Sequence, residues 1–477
     1  MRIILLAWFL CGLLGPGLLA RAQGSAARPP TGASLEGLWS GELTVPGGDL
    51  ELSISIIRLT GGKYFGALDV PMQRLNRVAV EVRQPAGSDS VVLLVPDSNS
   101  RFLGRRSADG QQLSGMWCRM TLRTPMVLHY ALLSSSLDPD PRFALPYHTE
   151  EVVFTNFTSK LRLAGTLTLP TGTGPFPAVV LVSDMGKQDR DGLAPGAPAT
   201  LVSYRLLGSL ADYLTRRGFV VLRCDDRGVG QSGGSSEAAT PVQRAGDVQA
   251  ALNFLRTRPE ADLLHLGVVG HGEGANLALL AAAQPLAPAF VVGLGAYGLP
   301  GYETLLHQQV LAWQAQKLPP AQLDLRLRRQ RTLYDLIRYS TNQPQTLAIV
   351  ANLLRQGEAT LAAPAAQQQA TALLTPWYRA FLAFDPLDNL RAVQCPVLLI
   401  SGQADEQAPP DQHLAALAHE LHASGNRAVT ALRPAGVNHL LQPPTVQWTM
   451  LNGEMKPTFS PLVQEQLAQW LAAQATR

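Results

Sequence analysis

Val268-Val269-Gly270-His271-Gly272-Glu273-Gly274-Ala275 is an apolar strand run that breaks at three glycines and turns toward a helix. A sharp strand-to-helix turn of this spacing, written G-x-S-x-G, lifts a serine hydroxyl above a sheet as a nucleophile. Here the central position is Gly272, which has no side chain to attack with. The elbow backbone is normally strained, at a cost of about 1–3 kcal/mol. Glycine accepts that geometry nearly free of strain. The expectation is a folded protein with an unarmed turn.

Around the elbow, continuous apolar runs recur: 178–182, 219–222, 266–269, 289–292 and 396–400. Such runs, with helical stretches between them, fit strands of a parallel sheet buried on both faces. Residues 301–390 interrupt the alternation, are rich in Ala, Gln, Leu and Arg, and read as a helical lid. Upstream the pattern differs. From 35 to 132 short alternating runs, such as Leu50-Glu51-Leu52-Ser53-Ile54-Ser55-Ile56, are separated by glycine turns. They argue a small antiparallel barrel or sandwich. Gly37-Leu38-Trp39-Ser40-Gly41 has the look of a lipocalin-like first strand, with Trp39 as core packing. Leu137-Asp138-Pro139-Asp140-Pro141 marks a linker, 133–146, before the second domain, 147–477.

Composition narrows the function. The 477 residues carry 39 Lys and Arg against 36 Asp and Glu, with 46% apolar residues, so the chain is well-buried and globular. No basic stripe with interleaved aromatics supports nucleic-acid binding. Residues 1–22 read as a secretory signal: Arg2, an apolar run from Ile3 to Leu19, and Ala20-Arg21-Ala22 as the cleavage site. Cys11 lies too early for a lipoprotein cysteine, and no later segment is apolar enough to span a membrane. Export, periplasmic or secreted, is the expectation. Cleavage leaves Cys118, Cys224 and Cys395, an odd count that argues against a disulfide framework. No Cys/His spacing resembles a zinc site.

Two further motifs complete the pattern. Asp225-Asp226-Arg227-Gly228-Val229-Gly230-Gln231-Ser232-Gly233 is a D-D-R-G-x-G-x-S turn. Trp377-Tyr378-Arg379-Ala380-Phe381-Leu382 and Asp385-Pro386 lead into Cys395-Pro396-Val397-Leu398. With the elbow, these residues make 147–477 resemble the exported bacterial α/β-hydrolases, related to carboxylesterases and serine peptidases of the prolyl-oligopeptidase type. The β-rich module is similar to one carried by some of these esterases. The resemblance implies an α/β-hydrolase fold with a helical lid acting on, or binding, a small acyl ester or peptide-like substrate without a cofactor.

Carried over position by position, the acid is Asp405 in Gly402-Gln403-Ala404-Asp405 and the base is His439 in Gly436-Val437-Asn438-His439. The order elbow, acid, histidine agrees with the fold. The oxyanion hole falls to the backbone N–H groups of Glu273 and Met185. Relatives often read G-S-G in the early loop, where this chain has Asp184-Met185-Gly186. An inward Asp184 would repel a developing oxyanion. The reading favoured here turns Asp184 to solvent or onto Lys187 or Arg190. Gly272 is then one missing side chain in an otherwise recognisable site, Asp184 is the one neighbour that argues for more than a point change, and His439 has room to activate a water directly. The alternative is a non-catalytic binding protein that uses the same cleft.

Other nucleophiles fare worse. Ser232 belongs to the shared turn, Ser183 lacks an elbow, and the Glu273 side chain should point away. Gly270 to Ala275 and Gly228 to Gly233 also fit dinucleotide fingerprints. The first lacks the ribose-binding acid after the next strand, and the D-D-R-G turn explains the second.

Overall fold

The computed structural model describes residues 35–131 and 147–474, except 46–47, 59–63, 71–74, 86–87, 121, 195–203, 359, 446 and 452–453. The expected signal, 1–22, and the linker, 133–146, lie outside the described residues. The described residues form two compact units, 35–131 and 147–474.

The first unit is a closed antiparallel barrel, which decides between the barrel and sandwich left open by the sequence. Its strands follow chain order: β1 (Gly37–Val45), β2 (Gly48–Arg58), β3 (Tyr64–Val70), β4 (Leu75–Arg83), β5 (Ser90–Val95), β6 (Ser100–Arg106), β7 (Gln112–Arg119) and β8 (Leu122–Ala131). Closure comes from β1 against β8, with Trp39 opposite Tyr130. The alternation in β2 turns Leu52, Ile54 and Ile56 inward, where they meet Val80, Leu93, Phe102 and Leu128. Packed side chains thus fill the barrel, as eight strands permit. Trp39 is fully buried, and its Nε1–H donates to the Leu35 carbonyl at 2.9 Å.

The second unit is an eight-stranded sheet in the order β16-β15-β14-β13-β11-β12-β10-β9. The hairpin β9 (Tyr147–Asn156) and β10 (Leu161–Pro170) forms its antiparallel edge. The remaining strands are mutually parallel: β11 (Phe176–Val182), β12 (Val220–Cys224), β13 (Ala261–His271), β14 (Phe290–Leu294), β15 (Val397–Ile400) and β16 (Val429–Leu432). Alternate residues of these strands enter two cores. Val180, Val268 and Leu399 face α2 (Pro241–Arg256) and α3 (Glu273–Ala282). Val179, Val269 and Leu398 face α1 (Leu206–Thr215) and the C-terminal helix Pro461–Gln474. Burial on both faces is why these strands read as unbroken apolar runs.

The stretch expected to be a lid is helical: α4 (Gly301–Ala315), α5 (Pro320–Tyr339), α6 (Gln343–Gly357), α7 (Ala363–Leu373) and α8 (Pro376–Ala383). It has a small core of its own around Leu333, Tyr334, Ile337 and Val350. Among the described residues, no helix is long and apolar enough to cross a membrane. Cys118, Cys224 and Cys395 are free thiols.

Candidate active site

The carboxyl ends of parallel strands form the crevice in which such sheets bind ligands. Here the loops after β11, β13, β14, β15 and β16 deliver Asp184, Gly272, Tyr297, Asp405 and His439. The elbow itself is well formed. Gly272 has φ 54° and ψ −120°, its N–H donates to the Leu294 carbonyl at 2.9 Å, and α3 starts at Glu273. A Cβ on Gly274 would lie 2.4 Å from the Ser183 carbonyl oxygen, so the turn needs a glycine there to pass this close to β11.

The expected acid–base pair is assembled. Asp405 Oδ2 lies 2.8 Å from His439 Nδ1, and both residues are buried. Asp405 Oδ1 accepts the N–H groups of Gln407 and Ala408 at 3.0 and 2.8 Å, which fixes the carboxylate and hence the ring. His271 lies beneath, with Nε2 2.8 Å from the His439 carbonyl oxygen. A buried carboxylate on one imidazole nitrogen leaves the other free to exchange a proton.

That second nitrogen is not free, and here the structure corrects the sequence. Asp184 points inward and is 8% exposed, rather than turned to solvent or onto Lys187 or Arg190. Lys187 pairs instead with Glu237, and Arg190 with Asp225 and Glu151. Asp184 Oδ1 accepts the Glu273 backbone N–H at 2.7 Å, and Oδ2 lies 3.3 Å from His439 Nε2. The Tyr297 hydroxyl is 3.3 Å from both carboxylate oxygens and 3.4 Å from His439 Nε2. A Cβ built on Gly272 would fall 1.8 Å from Asp184 Oδ1 and 2.1 Å from its Cγ. Two expectations fail on this. The space left by the missing serine holds a carboxylate rather than a water for His439 to activate. Nor is Gly272 a single deletion, because Asp184 fits only where residue 272 has no side chain.

The electrostatics follow. Burial alone would discharge His439, but Asp405 and Asp184 on either side outweigh it and hold the imidazole up at about 10. Asp184 is opposed by burial too. The His439 hydrogen bond, the charges of His271 and His439, and the Glu273 N–H bring it down to about 2. Near neutral pH His439 is therefore an imidazolium held against the Asp184 carboxylate. An imidazolium donating both protons is no general base.

The remaining candidates sort cleanly. The Glu273 side chain turns from Asp184 to Arg244 Nη1 at 2.5 Å and to the indole N–H of Trp377, on helix α8, at 3.0 Å. Ser232 Oγ accepts from the Ala164 N–H and donates to the Asp225 carbonyl, a bracing role within the turn. Ser183 Oγ donates to Asp226 at 2.9 Å. For Met185, the carbonyl accepts from Gln188 Nε2 at 3.3 Å. The sequence reading missed Tyr297, whose ring stacks on His439 at 5.8 Å between centroids. Its signal was available: Gly293-Leu294-Gly295-Ala296-Tyr297-Gly298 is a glycine-rich exit from a core strand.

A family model described as serine aminopeptidase, S33, matches residues 202–431. The second unit has the fold of the α/β-hydrolases, in keeping with that match. Among curated relatives, esterase EstD of Thermotoga maritima is 30% identical over 115 residues. That match spans 24% of this chain and 26% of the esterase. Among solved structures, the Pyrococcus furiosus esterase Pf2001 superposes with a TM-score of 0.45 at 14% identity, covering 72% of this chain and 96% of that one. The α/β hydrolase GrgF from Penicillium sp. sh18 does so with a TM-score of 0.40 at 17% identity, over 61% and 91%.

Proposed function

We propose that this protein is an exported member of the esterase-type α/β-hydrolases in which the serine route of acyl-ester hydrolysis is closed. Its similarity to an esterase and to the serine aminopeptidase model supports a small acyl ester or peptide-like molecule as the ligand. In the parent mechanism, residue 272 would supply the nucleophile, His439 the base and Asp405 its partner. The N–H groups of Glu273 and Met185 would form the oxyanion hole. One observation carries the reading: Asp184 Oδ1 already accepts the Glu273 N–H at 2.7 Å, where a developing oxyanion would need it. A resident anion there, beside an imidazolium, removes the electrophilic stabilisation and the base together.

The test is turnover of short aryl esters by the mature protein, G272S, D184G and the G272S/D184G double variant. The proposal expects negligible turnover from the first three and a His439-dependent burst of leaving group from the double variant alone. Burst kinetics mark an acyl-enzyme. Efficient His439-dependent ester hydrolysis by the unmodified chain would overturn it. Export rests on Arg2, the apolar run and Ala20-Arg21-Ala22, and is checked by N-terminal sequencing of the protein recovered outside the cytoplasm.

A further inference from the structure

We infer that the outer wall of the barrel along β6, β7 and β8 docks on a membrane surface bearing anionic headgroups. Inward side chains of these strands, among them Phe102, Leu113, Trp117, Met126 and Leu128, fill the barrel. The outward positions of such a sheet are ordinarily polar, because that face meets water. Here they are not. Along β7 the outward positions run Met116 and Cys118, and the next is Met120, where the chain turns. Met120 is 90% exposed, Leu103 41% and Met116 38%. The register sets Leu103 and Pro125 on either side of Met116, and Arg101 and Arg123 on either side of Cys118. Arg105 and Val127, both exposed, flank Ser114 in the next row. Side chains directly opposite on one face have Cβ atoms about 4.5–5.5 Å apart, so these rows form one patch. Met120 has φ 51°, a left-handed backbone that Asn or Gly usually takes in a tight hairpin. A bulky side chain there adds strain and no core contact, which fits a contact made outside the chain.

Charge is the second observation. Residues 100–131 hold Arg101, Arg105, Arg106, Arg119 and Arg123 against a single carboxylate, Asp109. Asp109 accepts from the Ser107 hydroxyl and the Gln111 N–H, and Arg106 donates to the Gly110 carbonyl. Among the described residues, Arg101, Arg105, Arg119 and Arg123 have no carboxylate partner. The exposed carboxylates Glu42, Asp49 and Glu51 gather on β1 and β2 instead. Shape then selects the occupant. Closure leaves the barrel no free strand edge, so an extended peptide cannot add to it. A barrel wall is convex and gives a helix no groove, whereas a fluid lipid surface moulds to a convex face. Met116, Met120, Leu103 and Pro125 would enter the headgroup boundary while the arginines reach phosphates, their stems lying along the apolar row. Each arginine beside an anionic surface should contribute roughly fivefold in affinity.

The test is sedimentation of the mature chain with vesicles of phosphatidylcholine, alone or with about one-third phosphatidylglycerol. Binding to the mixed vesicles only is expected, and it should be lost as salt rises from about 0.01 to 1 M and the Debye length falls from about 30 to 3 Å. R101S/R123S should bind roughly 25-fold more weakly. M116S/M120S should also bind more weakly but keep the salt dependence. All four side chains lie outside the core, so near-ultraviolet dichroism of both variants should match the parent. Cys118 reports on the face itself. A water-soluble maleimide should modify it in the free protein, mixed vesicles should slow that reaction, and peptide mapping separates it from Cys224 and Cys395. If a variant misfolds, the Cys118 measurement on the unmodified chain decides. Equal binding to both vesicle types, binding to neither, a parent-like R101S/R123S, or a Cys118 that vesicles leave fully reactive would each overturn the inference. So would a vesicle-free oligomer that R101S/R123S dissociates, since the face would then belong to a second copy. None of these readouts involves the elbow, and the closed serine route stands or falls apart from them.

Discussion

Restoring the serine alone should damage the protein before it restores anything. In G272S the new Cβ would meet Asp184 Oδ1 at 1.8 Å and Cγ at 2.1 Å, far inside contact distance. The carboxylate must leave, stripping the buried Glu273 N–H of its acceptor, which costs about 1–3 kcal/mol. A side chain at φ 54° adds about 1–3 kcal/mol of backbone strain. The single substitution should therefore lose roughly 2–6 kcal/mol. D184G alone leaves the His439 imidazolium with one carboxylate and the Glu273 N–H unpaired, a loss of about 3–5 kcal/mol if the charge stays buried. In the double variant the serine hydroxyl occupies the cleared space and reaches Nε2. The backbone strain and the unpaired Glu273 N–H then remain, while the His439 imidazole regains a partner. Urea unfolding of the four proteins, arranged as a double-mutant cycle, should return a coupling of at least about 2 kcal/mol in favour of the pair. Additivity within about 0.5 kcal/mol, or a G272S protein as stable as the parent, would refute the steric argument.

Other outcomes follow from the same geometry. His439 titrates at about 10 folded against an ordinary 6.5, so its contribution is complete below about pH 6.5 and lost as pH rises through about 10. Asp184, at about 2 against 3.8, contributes fully above about pH 4 and loses its share as pH falls through about 2. The charged neighbours Asp405 and Asp184, with His271, His413 and Tyr297 around them, set the His439 limb. Denaturation midpoints across pH 3–11 should fall at the alkaline end, and H439Q should flatten that fall. R244A should cost about 3–5 kcal/mol, because it strands the fully buried Glu273 carboxylate, and E273Q in the same background should recover much of the loss in thermal unfolding. W377F removes the indole hydrogen bond to that carboxylate and should cost about 1–3 kcal/mol by the same measurement. W39A should cost about 3–5 kcal/mol, read from the near-ultraviolet dichroism of an isolated barrel if that unit folds alone, and otherwise from the whole chain.

Much of this architecture was legible because burial writes itself into sequence. Strands covered on both faces become runs such as 178–182 and 396–400. A barrel strand with a filled interior becomes the alternation at 50–56. Asp405 and His439 could be placed for a similar reason: each sits a short loop beyond a recognisable strand, and their order is set by the fold. Gly272 was equally plain, since an elbow missing its side chain is visible in five residues.

Asp184 was not legible in this way. A carboxylate after a core strand can face solvent, a neighbouring lysine or arginine, or the cleft, and nothing local distinguishes these. The distinction is made by residues far along the chain: the Glu273 N–H, 89 positions later, Tyr297, 113 later, and His439, 255 later. Only tertiary structure brings those donors to one point, and only there does the absent Cβ of Gly272 become room for a carboxylate. The sequence by itself determined the fold, the unarmed elbow and the Asp405–His439 pair. Packing decided that His439 is a clamped cation. It also decided that Gly272 and Asp184 are one feature, because hydrogen-bond donors and excluded volume act over distances that chain order does not record.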